Sequence, residues 1–268
     1  MIRALLAFPA KEWRLYRSYR LALILNLTSV AFGVFTFFFV GRMFADSSNP
    51  YLARFGGNYF PYVLVGIASS NLLVSMLNGL AMNLQREQDT GTLEAILVCP
   101  IPEAVALLGL VLWNLFLSLL TGVGYLAGGY LLAMLPLAIM PILKALIVFV
   151  LSAGTFLGLG GTAAAFILYF KRGNPISWIF SSLSILLGSV YFPLEILPRA
   201  VQHLGRLLPL VHATEGMRMA LLENAPLAVL GPKLLILFLF SVIFAPLAII
   251  SLKYALWRVR EAGTLSHQ

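Results

Sequence analysis

Residues 85–100, QREQDTGTLEAILVCP, hold the densest polar chemistry in the first half of a chain that has little of it. One positive charge, Arg86, stands against three negative ones, Glu87, Asp89 and Glu94, so the stretch carries −2. Carboxylates at such spacing serve acid–base catalysis, metal binding or docking to a basic partner. The first two need companions that are missing. No His-Glu-x-x-His is present, and the histidines are only His203, His212 and His267. No Ser/His/Asp set falls in a plausible pocket. Cys99 is the single cysteine, so no intramolecular disulfide is possible, and it reads as a small apolar filler. No Gly-x-x-x-x-Gly-Lys-Ser/Thr phosphate loop appears. Lys171-Arg172-Gly173-Asn174-Pro175 is a short basic turn, and the glycines of residues 122–129 lie within an apolar run rather than after a strand. The catalytic and metal sets are therefore both none.

The elements that must carry this stretch follow from composition. The 268 residues are 60% hydrophobic and 10% charged, where soluble domains carry about 25% charged residues. A soluble chain of this length cannot hide that much apolar surface, so its solvent is partly lipid. The net charge of +8 is not a nucleic-acid signature, because the basic residues flank apolar runs as topology signals do. The N-terminus does not read as a cleavable signal: about twenty residues precede an apolar run of full span length.

Six runs are long enough to cross the hydrocarbon core as helices: 21–41, 59–82, 105–134, 142–170, 176–192 and 234–256, the fifth at the short limit. The runs are continuous rather than alternating, which argues against a β-barrel. The predicted fold is an all-α integral membrane protein, one membrane domain over 1–268. It has an interfacial helix at 1–20, a polar cytoplasmic segment at 83–100 and an extracytoplasmic, partly amphipathic segment at 193–231. Six spans put both termini on one side, with Arg3, Lys11, Arg14, Arg17, Arg20, Arg86, Lys171, Arg172, Lys253, Arg258 and Arg260. That is eleven of the eighteen basic residues, against seven opposite, so the termini and residues 85–100 are expected in the cytoplasm. Ile2 to Tyr19 reads either as an amphipathic helix lying along anionic headgroups or as an ordinary basic flank.

Small residues crowd the middle spans: Gly122, Gly124, Gly128 and Gly129 in the third, Gly154, Gly158, Gly160 and Gly161 in the fourth, Ser181, Ser182, Ser184, Gly188 and Ser189 in the fifth. They let backbones approach closely, either within one chain or, for the fifth span, against a second copy. The spans hold almost no ionisable residue, which disfavours a proton relay or ion pathway. The chain is read as neither an enzyme nor a pump by itself, and energy for any work must come from elsewhere.

Within 85–100, Thr90-Gly91-Thr92 supplies turn chemistry. Leu93, Ile96 and Leu97 then form a short apolar stripe, which Pro100 and Pro102 end. A short amphipathic helix with Glu87 and Glu94 outward is expected; the plainer reading is a solvated loop. Opposite charge to its own side, apolar anchors and a position joining two spans favour a docking element.

Arg86-Glu87…Gly91-Thr92-Leu93-Glu94…Pro100, then Tyr191-Phe192-Pro193-Leu194-Glu195-Ile196-Leu197-Pro198, Leu208-Pro209-Leu210 and Glu215-Gly216-Met217-Arg218, resemble the permeases of ABC type-2 transporters, in order and across the whole chain. The resemblance implies an exporter subunit paired with a second copy of itself in a bacterial-type cytoplasmic membrane. It implies two copies of a separate ATPase subunit that bind ATP and Mg, with no nucleotide-binding domain or cofactor in this chain. Arg86, Glu87, Gly91, Thr92, Leu93 and Glu94 would form the coupling helix, with Glu87 and Glu94 as charge partners of the ATPase. Pro193, Glu195, Pro198, Pro209, Glu215 and Arg218 would belong to a re-entrant gate. There a helix ending before Pro209 and another over 214–222 are expected, with His203 and His212 as surface residues.

Spans so poor in charge fit a hydrophobic or amphiphilic cargo such as a drug, lipid or lipid-linked glycan. An ATP-independent secondary transporter or channel, and a membrane anchor for a cytoplasmic protein, are the other readings the residues allow.

Overall fold

In lipid, a backbone has to bond to itself, and this sequence does so almost throughout. The computed structural model describes residues 2–18, 20–44, 50–52, 55, 57–92, 95, 98, 103–132, 138–170 and 175–261. Among them are α1 (Ile2–Ser18), α2 (Arg20–Met43), α3 (Tyr59–Asp89), α4 (Glu103–Leu131), α5 (Ile139–Phe170), α6 (Pro175–Leu187), α7 (Arg199–Arg206), α8 (Pro209–Leu221) and α9 (Leu227–Glu261). A 3₁₀ turn, Leu194–Ile196, precedes α7.

Five helices, α2, α3, α4, α5 and α9, are long and apolar enough to cross a membrane. α3 is the axis: 78% of its span is buried inside the protein, against 17% for α2 and 11% for α9. α4, α5 and α8 all pack on α3, and α9 packs along α5. The faces of α2 and α9 left outward carry Phe32, Phe35, Phe39, Phe238 and Ile243, as lipid-facing helices do.

Helices in lipid gain little from burying apolar surface against each other, so close approach and interhelical hydrogen bonds decide their pairing. α5 uses both. Gly154, Gly158 and Gly161 lie along one face, and a methyl group there would run into Ser241, Phe244 or Ala248 of α9. Thr155 Oγ1, on the same face, donates to the Leu237 carbonyl at 2.9 Å. Gly160 points the other way, with the Met76 carbonyl of α3 against its α-carbon. The glycines of α5 thus serve packing within one chain.

The fifth expected span, 176–192, is corrected. α6 has only 13 residues, ~20 Å of helix against a hydrocarbon core of roughly 30 Å. It ends where Gly188 packs against Leu210 and Ser189 turns into the left-handed region at φ 57. Three of its four serines, Ser177, Ser181 and Ser184, are buried, while Ser182, Trp178, Ile179, Leu183 and Leu186 face out. α6 runs antiparallel to α3. Ser177 Oγ donates to Leu77 O at 3.4 Å, and Ser189, beyond the helix end, reaches Tyr62.

Two further expectations change. Pro209 does not only end a helix; it opens α8 as its first residue, five residues before the expected start, because proline's fixed φ suits that position. His212 is buried rather than on the surface, its Nε2 2.8 Å from the Arg206 carbonyl. His203 is exposed, as expected.

Candidate functional site: a latched turn and a buried arginine

α3 is a 31-residue helix, about 46 Å long, and a polar junction sits near each end. The first is where α3 stops. Thr92 N donates to Glu87 O at 2.9 Å, and Gly91 N donates to Gln88 O at 3.0 Å. This 6→1 and 5→2 pair is a Schellman motif, and Gly91 occupies its left-handed position at φ 69. The two threonine hydroxyls, Thr90 and Thr92, lie 2.8 Å apart and close the turn from outside.

Glu87 is corrected from an outward charge to an inward one. Its side chain is 3% exposed, ion-paired with Lys11 of α1 and hydrogen-bonded by the Thr92 hydroxyl. One turn of α1 is thereby crossed with one turn of α3: Lys11 meets Glu87, and Glu12 lies 3.8 Å from Arg86. Apolar contacts fix the same approach. Phe8 fills the space that a side chain at Gly109 of α4 would take, and the Trp13 and Trp113 rings meet edge-on at 6.2 Å. Burial makes the reversal sensible: a carboxylate on the inner face of α3 has to be paired, and the basic face of α1 is the nearest partner. Leu93 and Glu94 lie outside the described residues.

The second junction is near the start of α3. Arg218, on α8, is wholly buried. Its Nε donates to Tyr62 O (3.1 Å), one terminal nitrogen to Ser189 Oγ (3.2 Å) and the other to Val190 O (3.1 Å). The guanidinium also stacks on Tyr62, 3.4 Å from the ring centre. The Tyr62 hydroxyl in turn lies 2.8 Å from Ser189 Oγ. Among the described residues Arg218 makes no ion pair; carbonyl oxygens, a hydroxyl and a ring face take its charge. The Val190 carbonyl lies in the break after α6, so there the arginine supplies a donor that the helix no longer does.

The remaining expected site residues scatter around it. Pro193 is buried and precedes the 3₁₀ turn, Glu195 and Pro198 are exposed, and Glu215 pairs with Lys233 of α9. α8 itself is buried almost all round. Lys144 of α5 ties its far end, donating to Asn224 Oδ1 and Ala225 O, both at 2.9 Å. Sequence reasoning missed Lys11, Tyr62, Lys144 and Ser189. The one local sign was the Gly188-Ser189 pair, since the others are ordinary residues of amphipathic or apolar helices.

Long apolar helices around a buried axis, joined by short polar turns, define a multi-pass helical membrane protein. The family model described as ABC-2 type transporter matches residues 7–222, from α1 to the end of α8. The chain belongs to the ABC-2 type transporter family, as a permease: a transmembrane transport component and not itself the catalytic part. Permeases of this family generally work with an ATPase subunit. No curated protein matches the chain.

Proposed function

We propose that this chain is the membrane half of an ATP-driven exporter of a hydrophobic or amphiphilic substrate, powered by a separate ATPase subunit. Two copies of the chain pair in a bacterial-type plasma membrane, both termini in the cytoplasm, over two ATPase copies that bind ATP and Mg. The observation that carries the reading is the single rod of α3, with the Gly91 turn at one end and the Arg218 junction near the other. A displacement of the turn by the ATPase would move the Tyr62 end of the same helix, and with it α8 and the break after α6. That gives ATP hydrolysis on one side a mechanical route to the segment 193–231 on the other.

Glu87 is occupied by Lys11, so the docking charge rests on Glu94, with Arg86, Gly91, Thr92 and Leu93 shaping the segment. α1, latched to the turn, moves with it. Within 193–231, α7 is the outward amphipathic piece and α8 the buried wedge, held by Arg218 and by Glu215 with Lys233.

The test is ATP hydrolysis in lipid nanodiscs holding the chain and its cognate ATPase subunit, wild type against Glu94→Lys. Stimulated hydrolysis in the wild type and its loss in a folded, assembled variant is the expected result. Hydrolysis indifferent to the permease, or no complex at all, would sink the ATP-coupled reading.

A further inference from the structure

Two crevices of similar size open sideways between α4 and α5, with α3 behind them. The one nearer the Tyr62 end encloses about 220 Å³ and has no charged residue in its lining. The one nearer the α1 side encloses about 230 Å³ and is completed by α9; its lining is apolar except for Lys253. Leu108 and Ile249, each about half exposed, stand at its rim. No carboxylate lines it, and among the described residues Lys253 makes no ion pair.

The level of this crevice is marked by its neighbours. Tyr254 lies 6.4 Å from Tyr169 of α5 and 6.1 Å from Trp257, ring centre to ring centre, and Arg258 stacks on both Tyr254 and Trp257. Amphipathic rings with a cation beside them are characteristic of the headgroup layer. Lys253 is next to Tyr254 and one turn inside Trp257, and its stem is long enough to carry the ammonium to the headgroups. A cation with no ion-pair partner among the described residues, above an apolar slot, is the complement of one molecule class in a membrane: an anionic headgroup above an acyl chain.

We propose that this crevice binds an anionic phospholipid of the leaflet on the α1 side, one acyl chain between α4 and α9 and its phosphate on Lys253. The site is separate from the Gly91 turn and the Arg218 junction, and it stands whether or not the chain is ATP-coupled. It wedges α9 against α3 and α4, so lipid composition would bear on how α9 sits. The uncharged crevice takes chains without choosing headgroups and is the internal control.

The experiment uses the full chain, delipidated in a mild non-ionic detergent. Native mass spectrometry follows binding of phosphatidylglycerol and phosphatidylcholine with identical acyl chains. The wild type should favour phosphatidylglycerol at one site by at least about fivefold, the weight of one lysine near an anionic headgroup. Lys253→Gln should abolish the preference, Lys253→Arg should keep it, and Leu108→Trp should remove the site by filling the slot. Elution profile and thermal midpoint report folding; if Leu108→Trp fails to fold, the Gln and Arg pair decides. Equal binding of the two lipids by the wild type overturns the proposal, as does a preference that survives Lys253→Gln. So does an efficient disulfide between copies bearing Leu108→Cys and Ile249→Cys in native membranes, which would mean a second copy covers the slot.

Discussion

The Arg218 guanidinium lies 3.4 Å from the centre of the Tyr62 ring, although the two residues are 156 positions apart. The same guanidinium donates to the Tyr62 carbonyl. One side chain therefore holds both the face and the backbone of one residue on the central helix, while two other donors hold the broken end of α6.

Arg218→Lys should be strongly destabilising, because an ammonium cannot reach three oxygens in a plane while stacking on a ring. Carbonyls left unpaired in the interior cost about 1–3 kcal/mol each, so the thermal midpoint in detergent should fall by several degrees at least. Fluorescence-detected size-exclusion after heating measures it. A lysine variant as stable as wild type would refute the role assigned to the planar group.

Gly66→Ala should cause the same lesion from the other side. A methyl there meets the Val190 carbonyl and comes within 2.7 Å of an Arg218 terminal nitrogen. Overpacking costs typically 1–3 kcal/mol, and residues that share partners are not additive. Combined with Arg218→Lys it should add less than its own single effect. Gly122→Ala, where a methyl meets nothing within 4 Å, is the control and should be neutral or slightly stabilising. Full additivity of Gly66→Ala with Arg218→Lys would mean the two do not act on one junction.

Gly91→Ala should cost about 1 kcal/mol through backbone strain alone, since φ is 69 and nothing lies within 4 Å of the added methyl. Gly91→Asn should cost less, because asparagine tolerates the left-handed region. With the ATPase present, Gly91→Ala should weaken stimulation of hydrolysis more than Gly91→Asn does. If the two variants are equal in stability, Gly91 is not held by its conformation.

Lys11→Glu should leave Glu87 facing a like charge and detach α1 from the end of α3. Glu87→Lys alone should do the same, and the double reversal should restore most of what each loses. Thermal stability and ATPase stimulation are both read, because removing the partner of a buried carboxylate costs stability by itself. Stimulation that ignores the single reversals would detach α1 from coupling.

The long helices were legible because length and hydropathy are local properties: any apolar run of span length in lipid must bond to itself. The Gly91 turn was legible for the same reason, since a glycine between threonines at the end of a helical run carries its conformational preference with it. What the residues alone determined was therefore the helical membrane class, the order of the elements and the polar turn on the α1 side.

Only the tertiary structure decided the rest. α6 reads as apolar through 192, and it stops at 187 because the Tyr62 hydroxyl and Arg218 offer its free backbone groups a better-placed set of partners. Glu87 reads as a surface charge by its spacing from Glu94, and it turns inward because Lys11, 76 positions away, is there to meet it. Arg218 reads as a residue of the re-entrant segment, and it is the largest fully buried side chain among the described residues. In each case the partner is remote in sequence, and burial of a charge or an unpaired carbonyl is tolerable only once that partner is in place.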